Sequence, residues 1–421
     1  MIKEYRMKER DFVRDRKLPF WHVIVLILSD WKSSIQNRIN NFFERLGKLD
    51  EVPTSSAYSQ ARDKLKPEIF KFLSDESVKF FYEEYEKEGY VKRWNGSLVW
   101  AVDCTRINLP DSKEMRKRYS IQSNQHNTEG VCQGLASCLY DVLNEISINS
   151  CLDKQKSEKL FIFEDHKDYY SKEAIVLYDR GYVDYSVIAY HIKAGIDFII
   201  RGKRGKTFKE VENFVKSSNT DALVTLSAPK RQKALIALED LPEEVTIRLV
   251  KVILDNGEEE ILLTSLREKT IYKTEDFKEV YNKRWGLETY FDRIKNQLDI
   301  ECFSSGKVHN VQQDFYGIIF LSIVESMLVK RENKEIAEDC LRKGRKYPYK
   351  LNKSVSYRAI LDHVFELFSD VNTSGEELLD KMKKLFKTGL TPVRKGRNFE
   401  RKRTTPSKKF RFYKYSKRYI I

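Results

Sequence analysis

Three acids and the cations around one of them define the chemistry this chain could do. Asp103 follows the apolar run "SLVWAV" and Asp179 follows "AIVLY", and each precedes a polar turn. Catalytic groups of open α/β sheets gather beyond strand ends. Glu288 sits in "YNKRWGLETYFDRIK" (281–295) between Arg284 and Lys295. Read as one helix at about 100° per residue, Tyr281, Arg284, Glu288 and Lys295 fall within about 60° of one another. They flank an apolar stripe of Val280, Leu287, Phe291, Ile294 and Leu298. Oxygen-donor acids with no His or Cys cluster nearby suit Mg²⁺, with Mn²⁺ as a substitute, and not Zn²⁺. Two such ions about 4 Å apart can activate one oxygen and stabilise another in phosphodiester chemistry. Plainer readings stand beside this one. An Asp closing a strand also serves as a turn or cap residue. Arg284 and Glu288 also form an i,i+4 pair of the kind that stabilises any helix slightly. Arg106 and Arg180 are equally simple ion-pair partners for the aspartates.

The elements that must hold these residues can be read along the chain. Its 421 residues, 41% hydrophobic and 12% aromatic, are enough for two or three cores. A formal charge of +14 calls for a polyanion, either nucleic acid or an anionic membrane surface. The run "FWHVIVLILSDW" is too short to span a bilayer, and Glu325 interrupts "FYGIIFLSIVESMLV", so nucleic acid is favoured and no membrane is expected. The six cysteines contain no CxxC pair, and reduced thiols in a cytoplasm are the default. Residues 1–88 carry helical periodicity. In "SSAYSQARDKL", Ser59, Gln60, Arg62 and Lys64 could face phosphates or base edges, or form an ordinary solvated face. Strand-like runs then alternate with helical ones up to residue 204. Residues 205–265 are mostly β, with Asn256-Gly257 marking a hairpin. The remainder is helical up to a basic, aromatic tail from Arg394 to Arg418. From the residues alone, the reading is a metal-dependent nuclease-like core with a basic footprint.

The spacing Tyr281-x2-Arg284-x3-Glu288-x6-Lys295 resembles the signature of bacterial DDE-class transposases of the insertion sequence 4 family. "AVDCTRI" resembles that family's first-aspartate motif, and "VLYDRGY" followed by "FIIRGK" its second. "RWGLETYFDRIKNQLDIECFSSG", "FVRDRKLPF" and "SAYSQARDKL" are similar as well, so the resemblance runs from about residue 10 to about residue 330. It implies an α/β fold: a ribonuclease-H-like catalytic core interrupted by a mostly β insertion and flanked by N- and C-terminal helical regions. The expected division is a DNA-binding domain at 1–88, the core at 89–204 and 266–306, the insertion at 205–265, and a C-terminal helical region with the tail at 307–421. The implied activity is metal-dependent strand cleavage and strand transfer on double-stranded DNA, in cut-and-paste transposition by a homodimer at the element's ends. The implied location is the bacterial cytoplasm, associated with the nucleoid. Asp103, Asp179 and Glu288 would hold Mg²⁺. Tyr281, Arg284, Lys295, Arg62 and Arg180 would contact DNA, and Trp285 would either stack on a displaced base or belong to the core. For relatives that make a hairpin at the element's end, the resemblance implies a flipped base stacked on an aromatic residue of the insertion; no tryptophan lies between 205 and 265 here, and Phe208 or Phe214 would substitute. Two alternatives share these motifs: a host nuclease of the same fold, and a catalytically silent DNA-binding regulator derived from a transposase.

Overall fold

The computed structural model describes residues 1–394 except 15, 30–32, 125–126, 204–207, 255–256 and 369–373. Beyond Arg394 the basic tail therefore lies outside the described residues, as does Asn256. Two units can be separated: 91–106 with 135–292, and 1–90 with 107–134 and the chain from 293 onward.

The first of these is built on a mixed sheet. β1 (Leu98–Asn108), β5 (Ala174–Tyr178) and β6 (Asp197–Arg201) run parallel, with Val102 opposite Tyr178 and Tyr178 opposite Ile200. The residues of β1 before Asp103 and all of β5 are buried, as strands covered on both faces must be, and hence read as unbroken apolar runs. β3 (Asn127–Asp141) lies beside β1 and pairs antiparallel with β4 (Ile146–Asp153). Val142 N–H donates to Val99 C=O and Leu109 N–H to Cys132 C=O, so numbers rise on β1 as they fall on β3. β2 (Ser120–Asn124) pairs with the first part of β3, in the other unit. Beyond β6 the sheet continues antiparallel through β9 (Glu259–Thr264), β8 (Glu244–Ile253) and β7 (Asp221–Ser227). Gly257, at φ +81°, takes the left-handed turn between β8 and β9. The helix Tyr185–Ala194 connects β5 to β6 and ends at Gly195 in the left-handed conformation.

A buried cation ties this extension to the segment after β9. Arg248 on β8 is fully buried and makes a two-pronged ion pair with Asp221 on β7, at 3.1 and 2.6 Å. It also donates to the carbonyls of Leu266 and Tyr272, and its guanidinium lies 5.1 Å from the Phe277 ring. The helix Asp276–Asn282, and Tyr281 near its end, are thereby fixed to the sheet.

The expected single helix over 281–295 is instead two, Asp276–Asn282 and Trp285–Asn296. Lys283, Arg284 and Gly286 donate to Val280, Tyr281 and Lys283, three residues back each time, and this tighter winding breaks the helical face.

The other unit is mainly helical. Phe20–Leu28 is buried at seven of its nine positions, which explains its apolar sequence without a membrane. The long helix Val308–Arg342 packs against Phe20–Leu28 and Glu68–Phe80. Its buried Glu325 accepts from Lys353 Nζ at 2.7 Å and from the Ser356 hydroxyl. β10 (Tyr349–Leu351) and β11 (Leu390–Pro392) form a small antiparallel pair. Among the described residues no helix is long and apolar enough to cross a membrane.

Candidate active site

The parallel ladder between β1 and β5 ends at the pair Val102–Tyr178, so the next residues on the two strands are Asp103 and Asp179. β1 does not stop there, contrary to the expected strand end, but runs on to Asn108. The two carboxylates are held differently. Asp103 Oδ1 accepts from the Cys104 N–H at 2.8 Å. Asp179 caps a short turn, with Oδ1 accepting from the Gly181 N–H at 2.7 Å. A Cβ at Gly181 would stand 2.9 Å from that oxygen, so a larger residue here would push the Asp179 carboxylate out of this orientation. Cap and candidate ligand are the same residue.

Arg284 joins the helix to this pair. One terminal nitrogen is 3.6 Å from Asp103 Oδ2, and the other donates to Glu288 Oε1 at 2.9 Å. The guanidinium is buried, and its Nε has no hydrogen-bond partner among the described residues. Its carbon lies 4.9 Å from the Trp285 ring. Trp285 itself is 50% exposed, so of its two readings the core one falls. Lys295 follows Glu288 on the same helix by two turns and is half-buried. Arg180 is exposed beside Asp179.

Burial first, then Asp179 and Glu158, push the Asp103 carboxyl up to about 7, against the pull of the Cys104 N–H and Arg284. The site carries more negative charge than its one buried guanidinium balances. Among the described residues, no three His, Cys, Asp or Glu side chains form a ready-made metal cage, and Glu288 is turned to Arg284. The neighbouring Cys104 packs against Leu135, Cys151 and Phe161, and burial pushes its thiol up to about 12, so it serves as an inert wall.

Two expectations are corrected. Tyr281 does not reach out to a DNA strand: it is 4% exposed and its hydroxyl donates to the Tyr178 carbonyl at 3.2 Å, one residue before Asp179. The break at Lys283–Arg284 turns it inward. Arg62 is not at a phosphate but is a buried structural cation. It donates to Gln313 at 2.7 Å, to Ser304, to the Asn310 carbonyl at 2.7 Å, and to Asp314 at 2.8 Å. Gln60 and Lys64 instead line a cleft of about 1020 Å³ whose walls carry Lys8, Arg10, Arg14, Arg16 and Lys17. The N-terminal arm forms one wall, strapped by an Arg6–Leu65 bridge and by the Met7 N–H on the Lys64 carbonyl at 2.8 Å. Phe208 is buried at a smaller cavity of about 430 Å³, shared with Tyr185 and Gln232, and Phe214 is buried near Lys251.

Three residues escaped the sequence reading. Glu158 lies within charge range of both aspartates, and burial, then Asp179, raise its carboxyl above the ordinary range. Its only sequence signal is a charged loop. Gly181 was legible as part of "DRGY" but not for its closeness to the Asp179 carboxylate, and Arg248 only as a charge interrupting the apolar alternation of β8.

Residues 94–324, more than half of the chain, match the model of the transposase DDE domain family. No curated protein matches the chain. Among solved structures it is similar to a piggyBac transposase, in a cryo-EM structure of the synaptic complex with hairpin DNA. The identity is 11%, over 92% of this chain and 78% of that one, with a TM-score of 0.40. The matched span contains Asp103, Asp179, Arg284 and Glu288, and by that match the chain belongs to the transposase DDE domain family.

Proposed function

We propose that this chain is an insertion sequence 4-type transposase that binds double-stranded DNA at the ends of its element and, as a homodimer, cleaves and transfers the strands. One observation carries the reading: Asp103 and Asp179 stand side by side at the end of a parallel ladder, with Glu288 joined to Asp103 through Arg284. The strand order β4-β3-β1-β5-β6, three antiparallel strands followed by two parallel ones, supports a ribonuclease-H-like core. β7 to β9 would then be the insertion ahead of the glutamate helix.

The donor set fits a hard divalent cation, since it offers carboxylate oxygens only, and burial, with Asp179 and Glu158 beside it, holds Asp103 half-protonated near neutrality. Asp103 and Asp179 would hold Mg²⁺ or Mn²⁺, with Glu288 completing the set once Arg284 passes to a DNA phosphate. The bound cation would supply positive charge to the phosphate oxygens that gain charge as the bond breaks. The chain's own groups do the positioning. Gly181 N–H and Cys104 N–H orient the two aspartates, and Tyr281 pins the end of β5. Arg284 can grip a phosphate with its fork, and its unpartnered Nε is a spare donor for an acceptor there. Trp285 offers an exposed face for a base. The basic cleft under the N-terminal arm supports a separate hold on the DNA backbone.

The test uses the full chain with a labelled duplex carrying the inverted repeat that flanks its coding region. Wild type should nick at the repeat with Mg²⁺, and Glu288→Gln should bind the same duplex about equally well without cutting. Cleavage by Glu288→Gln at the wild-type rate would sink the assignment.

A further inference from the structure

The segment 342–350, "RKGRKYPYK", holds five cations and no acid. Arg342 and Lys343 pair with Asp339. Arg345, Lys346 and Lys350 are exposed and make no ion pair with any described residue, and Arg394, just past β11, is exposed and likewise unpaired. The fold gathers Arg345, Lys346 and Arg394 on the tyrosines of one platform, while Lys350, between Tyr349 and Leu351 in β10, projects from the opposite face of the strand. β10 and β11 pair Tyr349 with Pro392 and Lys350 with Thr391, and the Val393 N–H closes onto the Pro348 carbonyl at 2.8 Å. Leu351 N–H anchors the strand to Asn333 on the long helix at 2.9 Å. On this frame the guanidinium of Arg345 lies 5.1 Å from the Tyr349 ring, and Tyr347 is flanked by Lys346 at 5.5 Å and Arg394 at 5.2 Å.

Like charges crowded this closely repel, and cation–aromatic contacts at exposed sites return only about 0.5–1 kcal/mol each. A surface whose cations outnumber the one nearby acid, Asp339, and which sets them on tyrosines is matched by an array of phosphates. We propose that the β10–β11 platform is a second nucleic-acid contact surface, one that grips the backbone of duplex DNA without regard to sequence. It is distinct from the cleft under the N-terminal arm, with which it shares no residue. A duplex is favoured over an anionic membrane because the cations are set on tyrosines in a short rigid pair of strands, not along an amphipathic helix. The proposal rests on the reading that the chain binds DNA.

The experiment compares the full chain with the variant Arg345→Gln/Lys346→Gln/Arg394→Gln, all three positions being exposed. Binding is measured by fluorescence anisotropy against the repeat-bearing duplex and a scrambled duplex over a range of salt. Three lost phosphate contacts should flatten the log–log salt slope by about 2 to 3. Both duplexes should weaken by the same factor, leaving the preference between them and the thermal melt unchanged. An unaltered slope and affinity on both would overturn the platform, as would loss confined to the repeat-bearing duplex. So would unchanged DNA binding accompanied by lost binding to vesicles of phosphatidylcholine and phosphatidylserine. Absence of DNA binding by the wild type itself would instead remove the underlying functional reading and the platform with it.

Discussion

Replacing Asp103 by Asn should stabilise the metal-free protein while abolishing cleavage, and the size of the effect follows from the site. Burial beside Asp179 moves the Asp103 carboxyl from the ordinary 3.8 to about 7. A folded-state value above the unfolded one means that Asp103 favours folding only while protonated. That contribution is whole below about pH 4 and is lost as pH rises through about 7. The full loss is about 4 kcal/mol at 1.36 kcal/mol per tenfold. Asn keeps the shape and a carbonyl oxygen for the Cys104 N–H but never ionises. The shift already includes the pull of Arg284, 3.6 Å away, so the gain at about pH 8 should approach the full value of about 4 kcal/mol. Urea midpoints of both proteins, followed by tryptophan fluorescence in chelator, should diverge progressively between about pH 5 and about pH 8. Adding Mg²⁺ should then recover wild-type stability and leave the variant where it was. A difference that is flat with pH, or a variant less stable than wild type at about pH 8, would refute the charge imbalance inferred for this site.

Other substitutions separate aiming from holding. Gly181→Ala puts a Cβ against Asp179 Oδ1 and should slow single-turnover cleavage by about a hundredfold, as a misplaced catalytic group does, with little change in melting temperature. Tyr281→Phe loses the bond to the Tyr178 carbonyl and should cost about 1 kcal/mol in a urea titration, while leaving the dissociation constant for end DNA unchanged. Arg62→Met leaves Asp314 buried without its cation and should cost about 3 to 5 kcal/mol of stability, with no change in the salt slope of DNA binding by the folded protein.

What was legible in the sequence was local, and what was missed depends on partners far along the chain. Asp103 and Asp179 stand out because an apolar run followed by an acid is a pattern within a few residues. Their adjacency is set by a parallel register between strands more than seventy residues apart, which periodicity does not encode. Gly257 and the pairing of β8 with β9 were legible for the same local reason, since a hairpin needs a residue at positive φ. The helical wheel over 281–295 placed Arg284 and Glu288 correctly relative to each other but assumed an unbroken helix. The three-residue hydrogen bonds at Lys283–Gly286 invalidate that assumption for Tyr281 alone, which lies before the break. Arg62 shares the buried face of its helix with Tyr58 and Ala61, but its carboxylate partner, Asp314, lies 252 residues later. A cation in sequence is thus ambiguous between a phosphate contact and a buried brace until its carboxylate is located. The same test separates the cations of this chain by the work they can do. Arg248 and Arg62 have carboxylates and hold the fold. Arg284 has two, both within the acid site, and can leave them only for another anion. Arg345, Lys346, Lys350 and Arg394 have none within ion-pair reach among the described residues, and they are where an outside polyanion has the most to gain.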